Sequence, residues 1–143
     1  MATYSFLDVT ASITGPGGSF NLGFGAGAAE EGITITRPDD KNTMLIGADG
    51  TPMHSLHAGK PGMVSVRLLK TSPVNGQLSQ MYALQTSSST LHGQNVITVR
   101  NNATGEVTTC QQAAFKKFPD ISYAKDGNSN EWTFDIGIID GIL

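Results

Sequence analysis

Only one stretch of this chain carries helical periodicity, Ser72 to Gln85, and it sits among segments that read as short strands and turns. Ser72 is suited to cap a helix, and Pro73 to occupy its first position, where a missing N–H costs nothing. Leu78, Met81, Tyr82 and Gln85 then recur at i, i+3, i+4 and i+7, which gives one mostly apolar face. No residue of this helix is charged, which is unusual for a helix facing water. The expected element is a cover laid over a sheet, part of it available to a neighbouring chain. The chain is therefore expected to be mainly β: an antiparallel β-sandwich or barrel with one flanking α-helix.

The strand pattern agrees. Leu7, Val9, Ala11 and Ile13 alternate with Asp8, Thr10, Ser12 and Thr14 within residues 4–14, as in a half-buried strand. Gly15-Pro16-Gly17-Gly18 is a turn, and Ser19 to Gly23 returns as the hairpin partner. Gly23 to Gly32 reads as an irregular connection, Ile33 to Arg37 as a strand, and Pro38-Asp39-Asp40-Lys41-Asn42 as an exposed loop tip. Thr43 to Ala48 leads back from that tip, so the 33–48 pair is expected to project furthest. Asp49-Gly50 and Gly59-Lys60-Pro61-Gly62 mark turns on either side of Met53 to His57.

Met63 to Lys70, rich in branched residues, is a strand leading into the helix. After the helix, Val96 to Arg100 and Glu106 to Cys110 form a hairpin across Asn101 to Gly105, and Gln111 to Lys117 continues it as a bulge or short extension. Asp120 to Ala124 and Glu131 to Ile139 make the last hairpin. In it Trp132, Phe134, Ile136 and Ile138 are expected on one face, each aromatic contributing about 2–3 kcal/mol if fully buried. Turns about every 8–12 residues are the mark of an antiparallel sandwich or barrel. At 143 residues, one domain spanning 1–143 is expected.

Charged residues make up 15% of the chain, well under the usual quarter, and there are 17 glycines. Such a surface suits burial against other protein, because charge is what keeps monomers apart. The net charge is −3 and the only adjacent basic pair is Lys116-Lys117, which argues against tight nucleic-acid binding. Cys110 is single, which excludes an intrachain disulfide and fits a reducing compartment. The N-terminal Met-Ala-Thr-Tyr-Ser-Phe has no basic region followed by an apolar core, so no signal peptide is expected, nor any membrane insertion.

Candidate chemistry is sparse. His54 and His57 lie three apart, so on a strand they point to opposite faces and do not share a metal, and His92 is remote. Gly15 to Gly18 and Gly23-Phe24-Gly25-Ala26-Gly27 lack the Lys-Ser/Thr pair of a P-loop and the strand–turn–helix context of a dinucleotide site. Cys110 reads as a buried strand thiol. No catalytic, metal or cofactor site is expected, and the chain is not expected to be an enzyme. The polar Pro38, Asp39, Asp40, Lys41 and Asn42 are the exception: on a projecting hairpin they suit a docking loop that sets register against a neighbouring subunit.

Asp40-Lys41-Asn42-Thr43-Met44, Met53-His54-Ser55-Leu56-His57-Ala58-Gly59, and above all Val64-Ser65-Val66-Arg67-Leu68-Leu69-Lys70-Thr71-Ser72-Pro73-Val74-Asn75 resemble the tail tube proteins of contractile-tailed bacteriophages. Thr3 to Val9 and the Gly15 to Gly18 turn fit the same family. The resemblance implies a homo-oligomer: hexameric rings whose inner sheets join into a continuous barrel, stacked into a hollow tube inside a contractile sheath. It implies sheath, baseplate and tail terminator as partners, DNA passing non-specifically through the lumen, assembly in the host bacterial cytoplasm and residence in the virion tail. It also makes residues 38–42 the ring-stacking loop. Tube proteins of type VI secretion systems and phage-like bacteriocins share this architecture and stand as the alternative. A small monomeric β-sandwich binding module is the reading from a different class.

Overall fold

The computed structural model describes residues 3–23, 25 and 27–143. Met1 and Ala2 of the N-terminal stretch, and Phe24 and Ala26 of the glycine-rich run, lie outside the described residues. A 3₁₀ turn, Phe6–Asp8, opens the chain. The strands are β1 Val9–Gly15, β2 Gly18–Asn21, β3 Ala28–Thr36, β4 Asn42–Ile46, β5 Pro52–Leu56, β6 Gly62–Leu69, β7 Asn95–Asn101, β8 Glu106–Lys117 and β9 Ser129–Ile142. The helix α1 is Val74–Thr86. Seven strands form one antiparallel sheet in the order β2-β1-β7-β8-β9-β6-β3, while β4 and β5 pair only with each other. The fold is mainly β with one helix, and it is a half-barrel: one open sheet curled around a core that α1 covers.

Alternation explains the core. On β6 Val64, Val66 and Leu68 are buried with the polar Ser65 and Arg67 turned away, and on β1 Val9, Ala11 and Ile13 are buried likewise. Trp132, Phe134 and Ile136 of β9 meet Phe115 of β8, the Phe115 ring lying 4.7 Å from Phe134 and 5.8 Å from Trp132. Val74, Leu78, Met81 and Gln85 are the buried face of α1. Tyr82 is half-buried and sets its ring edge-on to Phe115 at 5.6 Å. Trp132 Nε1 donates to Asn75 Oδ1 at 3.0 Å, and Asn75 Nδ2 donates to the Leu69 carbonyl at 2.9 Å, so the first turn of the helix is fastened to the sheet.

The other end of the helix is fastened by a buried amide pair. Gln85 Nε2 donates to Asn95 Oδ1 and Asn95 Nδ2 donates to Gln85 Oε1, both at 2.7 Å, and Gln85 Nε2 also reaches the Pro16 carbonyl at 2.8 Å. Gly15 makes room for this arrangement: a Cβ there would lie 1.9 Å from Asn95 Oδ1. Both amides are fully buried, so removing one strands the other. Gln85→Leu is expected to cost about 1–3 kcal/mol in urea unfolding, and adding Asn95→Leu to cost less than the two single changes summed.

Five expectations are corrected. Leu7 falls in the 3₁₀ turn rather than on β1, where Ser5 Oγ accepts from its N–H, and it is exposed. Ser72 does accept the Val74 N–H at 3.3 Å, but Pro73 takes the cap position and α1 begins at Val74. The connection after Gly23 ends sooner than expected, because β3 starts at Ala28. The segment Asp120 to Ala124 is not a strand: β9 pairs with β8 and β6 instead, and Lys70 anchors this segment through the Ser122 carbonyl and the Tyr123 ring.

The fifth correction concerns β9, where Ile138 is half-exposed and Ile139 is buried. Gln112 on β8 has φ +54° and forms a bulge, so Gln111 and Gln112 together oppose Val96 of β7 and the face assignment flips by one. Gly137 opposite accommodates the Gln112 side chain, since a Cβ there would lie 2.7 Å from Gln112 Oε1. Residues 111–117 are thus the continuation of a single long strand with a bulge.

Candidate assembly surfaces

The β4–β5 hairpin stands apart from the sheet. Its register pairs Met44 with His54, Leu45 with Met53 and Ile46 with Pro52, and every residue in both strands is exposed. The alternation places Met44, Ile46 and Leu56 on one side and Leu45 and Met53 on the other. Both sides are therefore apolar, with exposures of 53–79% on the first and 56–64% on the second. Burying only one side would leave the other in water. Five-residue strands give it a reach of about 17 Å.

Hydrogen bonds define its tip and root. At the tip Gly47 N donates to Thr51 O at 2.8 Å and Gly50, at φ +88°, closes the turn. Asp49 Oδ1 accepts the Thr51 N–H at 3.0 Å, which shifts the Asp49 carboxyl downward from its ordinary value. At the root His57 N donates to the Lys41 carbonyl at 3.0 Å, and Lys41 Nζ to the Gly59 carbonyl at 3.1 Å. Lys60 is tied to β9 through its ion pair with Asp140 at 3.0 Å and through its carbonyl, which accepts the Ile139 N–H at 2.9 Å.

Pro38, Asp39, Asp40, Lys41 and Asn42 are all exposed, but they stand at the root and not at the tip. The expected 33–48 pairing is replaced by two others. Ile33 and Ile35 of β3 face the core beside Val66 and Val64 of β6, while residues 42–46 fold back on 52–56 across the Asp49-Gly50 turn. The turn and the strands on both sides of it are those the sequence predicts; the correction is to the partner of Thr43 to Ile46, which is 52–56 and not 33–37.

The second surface is the open face of the sheet, opposite α1. Hydroxyls run across it strand by strand: Ser12 pairs with Thr98, Thr98 with Thr109, and on the other half Ser65 pairs with Thr133 and Thr34. Its basic side chains are partly answered: Arg67 and Lys117 have carboxylate partners, while among the described residues none lies within ion-pair distance of Arg100 or Lys116. Arg67 lies 3.5 Å from Glu131, which also accepts from Ser65 Oγ at 2.6 Å, and Lys117 lies 3.6 Å from Asp120. The third surface is the pair of sheet edges, β2 and β3, whose outer backbone groups have no strand beside them among the described residues.

Among the described residues the chemistry-bearing side chains are scattered. His54 Nδ1 lies 3.2 Å from Asn42 Nδ2 and His57 Nε2 lies 2.7 Å from Thr43 Oγ1, so the two imidazoles serve the two sides of the hairpin separately. Among the described residues no three His, Cys, Asp or Glu are grouped to hold a metal ion. Cys110 is buried on β8, and desolvation raises its thiol to about 11, the reverse of what a nucleophile needs. Among the described residues no helix is long and apolar enough to cross a membrane.

A family model described as Bacteriophage PhiTE tail tube protein matches residues 1–143. No curated protein matches the chain by sequence. Among solved structures the chain is similar to one from an extracellular contractile injection system, the PVC sheath-tube complex in the extended state: TM-score 0.62, 8% identity, 99% of this chain and 92% of that one covered. It is also similar to a chain of the PVC sheath/tube terminator in the extended state, with TM-score 0.62, 11% identity and coverage of 100% and 99%. A chain of the anti-feeding prophage tube-terminating cap gives TM-score 0.58 at 8% identity, covering 100% and 94%. At such identities the likeness is one of fold.

Proposed function

Because this chain belongs to the bacteriophage PhiTE tail tube protein family, a family of structural tail proteins, we propose that it stacks as hexameric rings into a hollow conduit for DNA inside a contractile sheath. The β4–β5 hairpin carries this reading. An apolar element covered by nothing in its own chain is a cost to a monomer and an asset to an assembly. The edges β2 and β3 supply the second argument, since a closed ring pairs them off and removes the hazard of open strand ends.

The open face of the sheet is the surface that lines the lumen in this reading. Core packing and α1 occupy the other face, so only the hydroxyl rows pass uninterrupted from subunit to subunit once the edges join. DNA adheres to protein through phosphate contacts with Lys and Arg, and here Arg67 and Lys117 are paired with carboxylates, which leaves Arg100 and Lys116 as the cations of this face without such a partner among the described residues. The loop of Pro38 to Asn42 acts at the hairpin root, where it fixes the direction in which the hairpin leaves the sheet. Sheath, baseplate and tail terminator are the partners at the outer wall and the two ends. The subunit assembles in the host bacterial cytoplasm and functions in the virion tail, without cofactor or catalysis.

A second reading, a tube of a DNA-free injection particle, is favoured by the fold likeness to extracellular contractile injection systems. Nucleic acid inside purified particles separates the two. Sedimentation velocity over a wide concentration range tests assembly itself: large, open-ended species are expected, and a strict monomer throughout refutes both readings in favour of a monomeric binding module.

A further inference from the structure

We propose that the tip of the β4–β5 hairpin seats in the cleft at the root of the same hairpin on a second copy of this chain, with Asp49 as the anchoring charge. The inference rests on the tube reading and adds to it which residues meet. From Asn42 to Leu56, Asp49 is the sole Asp, Glu, Lys or Arg, and it sits at the outermost turn, its carboxylate accepting the Thr51 N–H. At the root, a cleft of about 320 Å³ gathers Arg37, Lys41 and Lys60 against Asp39 and Asp140, beside Pro61 and Ile139.

The cations there are not all spent. Lys60 is paired with Asp140. Lys41 Nζ has a backbone carbonyl, that of Gly59, as its partner, and among the described residues no carboxylate lies within ion-pair distance of Arg37. The cleft thus keeps an excess of positive charge over a partly apolar floor, which matches a turn bearing one carboxylate and the small Ala48. The tip of one chain stands about 17 Å from its own root, so the occupant is another copy. Tip and root are different surfaces, so the contact is head-to-tail and propagates, as the long axis of a tube requires.

The test measures the concentration above which the protein forms sedimentable assemblies, with thermal melting as the check on folding. Asp49→Asn keeps the acceptor for the Thr51 N–H and removes the charge. It is expected to raise the threshold about tenfold, and Arg37→Glu with Lys41→Glu to raise it at least as much. Combining Asp49→Lys with Arg37→Glu and Lys41→Glu is expected to restore assembly. Asp49→Asn and the cleft variant assembling at the wild-type threshold overturn the proposal while leaving the tube reading intact. So does a charge-swapped variant that stays impaired although it melts normally. A wild-type chain that never assembles overturns both.

Discussion

Leu78→Asp strips the chain of a large part of its stability. Leu78 is fully buried at the centre of α1, between Val74 and Met81, and no basic residue stands among the buried side chains to receive a carboxylate. The substitution removes a large apolar contact and strands a charge or a neutral acid in its place, a cost of about 4 kcal/mol or more. A domain of this size holds about 5–15 kcal/mol in total. The expected readout is a fall in Tm of about 10 °C or more, or loss of a cooperative transition altogether. A melting curve like that of the wild type would mean that α1 presents a different face to the sheet. Tyr82→Asp acts in the same direction with a smaller effect, since Tyr82 is half-buried and its ring meets Phe115 and Phe118 at the margin of the core.

Leu45→Asp with Met53→Asp has the opposite signature: melting unchanged, assembly abolished. The two residues face each other across the hairpin on one of its exposed sides, at 64% and 56% exposure. Within the monomer they support nothing beyond each other, so stability shifts by about 0.5 kcal/mol or less. In an assembly they would be covered by a neighbour, where two unpaired carboxylates cost several kcal/mol. The pair of results, a helix variant that loses the fold and a hairpin variant that loses only the assembly, separates what the subunit needs for itself from what it offers to its copies.

How much of this was legible in the sequence depends on the range of the interaction. The helix face at Leu78, Met81 and Gln85 and the alternation of Val64, Val66 and Leu68 were readable, because local periodicity decides them and the core agrees with it. The partner of each strand was not. Ile33 and Ile35 prefer Val64 and Val66, some 30 residues away, over the adjacent Thr43 to Ile46, and that choice is made by packing rather than by any neighbouring residue. A bulge or short extension within Gln111 to Lys117 was legible, but its placement at Gln112 was not: it answers to Gly137, a position that its own strand does not announce. The amide pair of Gln85 with Asn95 was half seen, as one polar residue on an apolar face, without the distant partner that justifies it.

The hairpin was the most instructive case. Met44, Leu45, Ile46 and Met53 read as strand residues, the first three on an arm expected to project, and the fold leaves all four exposed. An apolar residue buried against its own chain and one awaiting another chain look alike in a single sequence. The low charge and the apolar hairpin therefore point in one direction only when taken together. Residues 38–42 were singled out for polarity, and the structure sets them at the root of the element they were expected to cap.

Cryo-electron microscopy of assembled particles, at a resolution that traces the main chain, tests the central claim most directly. The account predicts each β4–β5 hairpin enclosed on both sides by neighbouring copies, β2 and β3 joined across subunits, and the row of Ser12, Thr98 and Thr109 facing the channel. Hairpins extended into solvent, or helix α1 lining the channel in place of the hydroxyl rows, would contradict it.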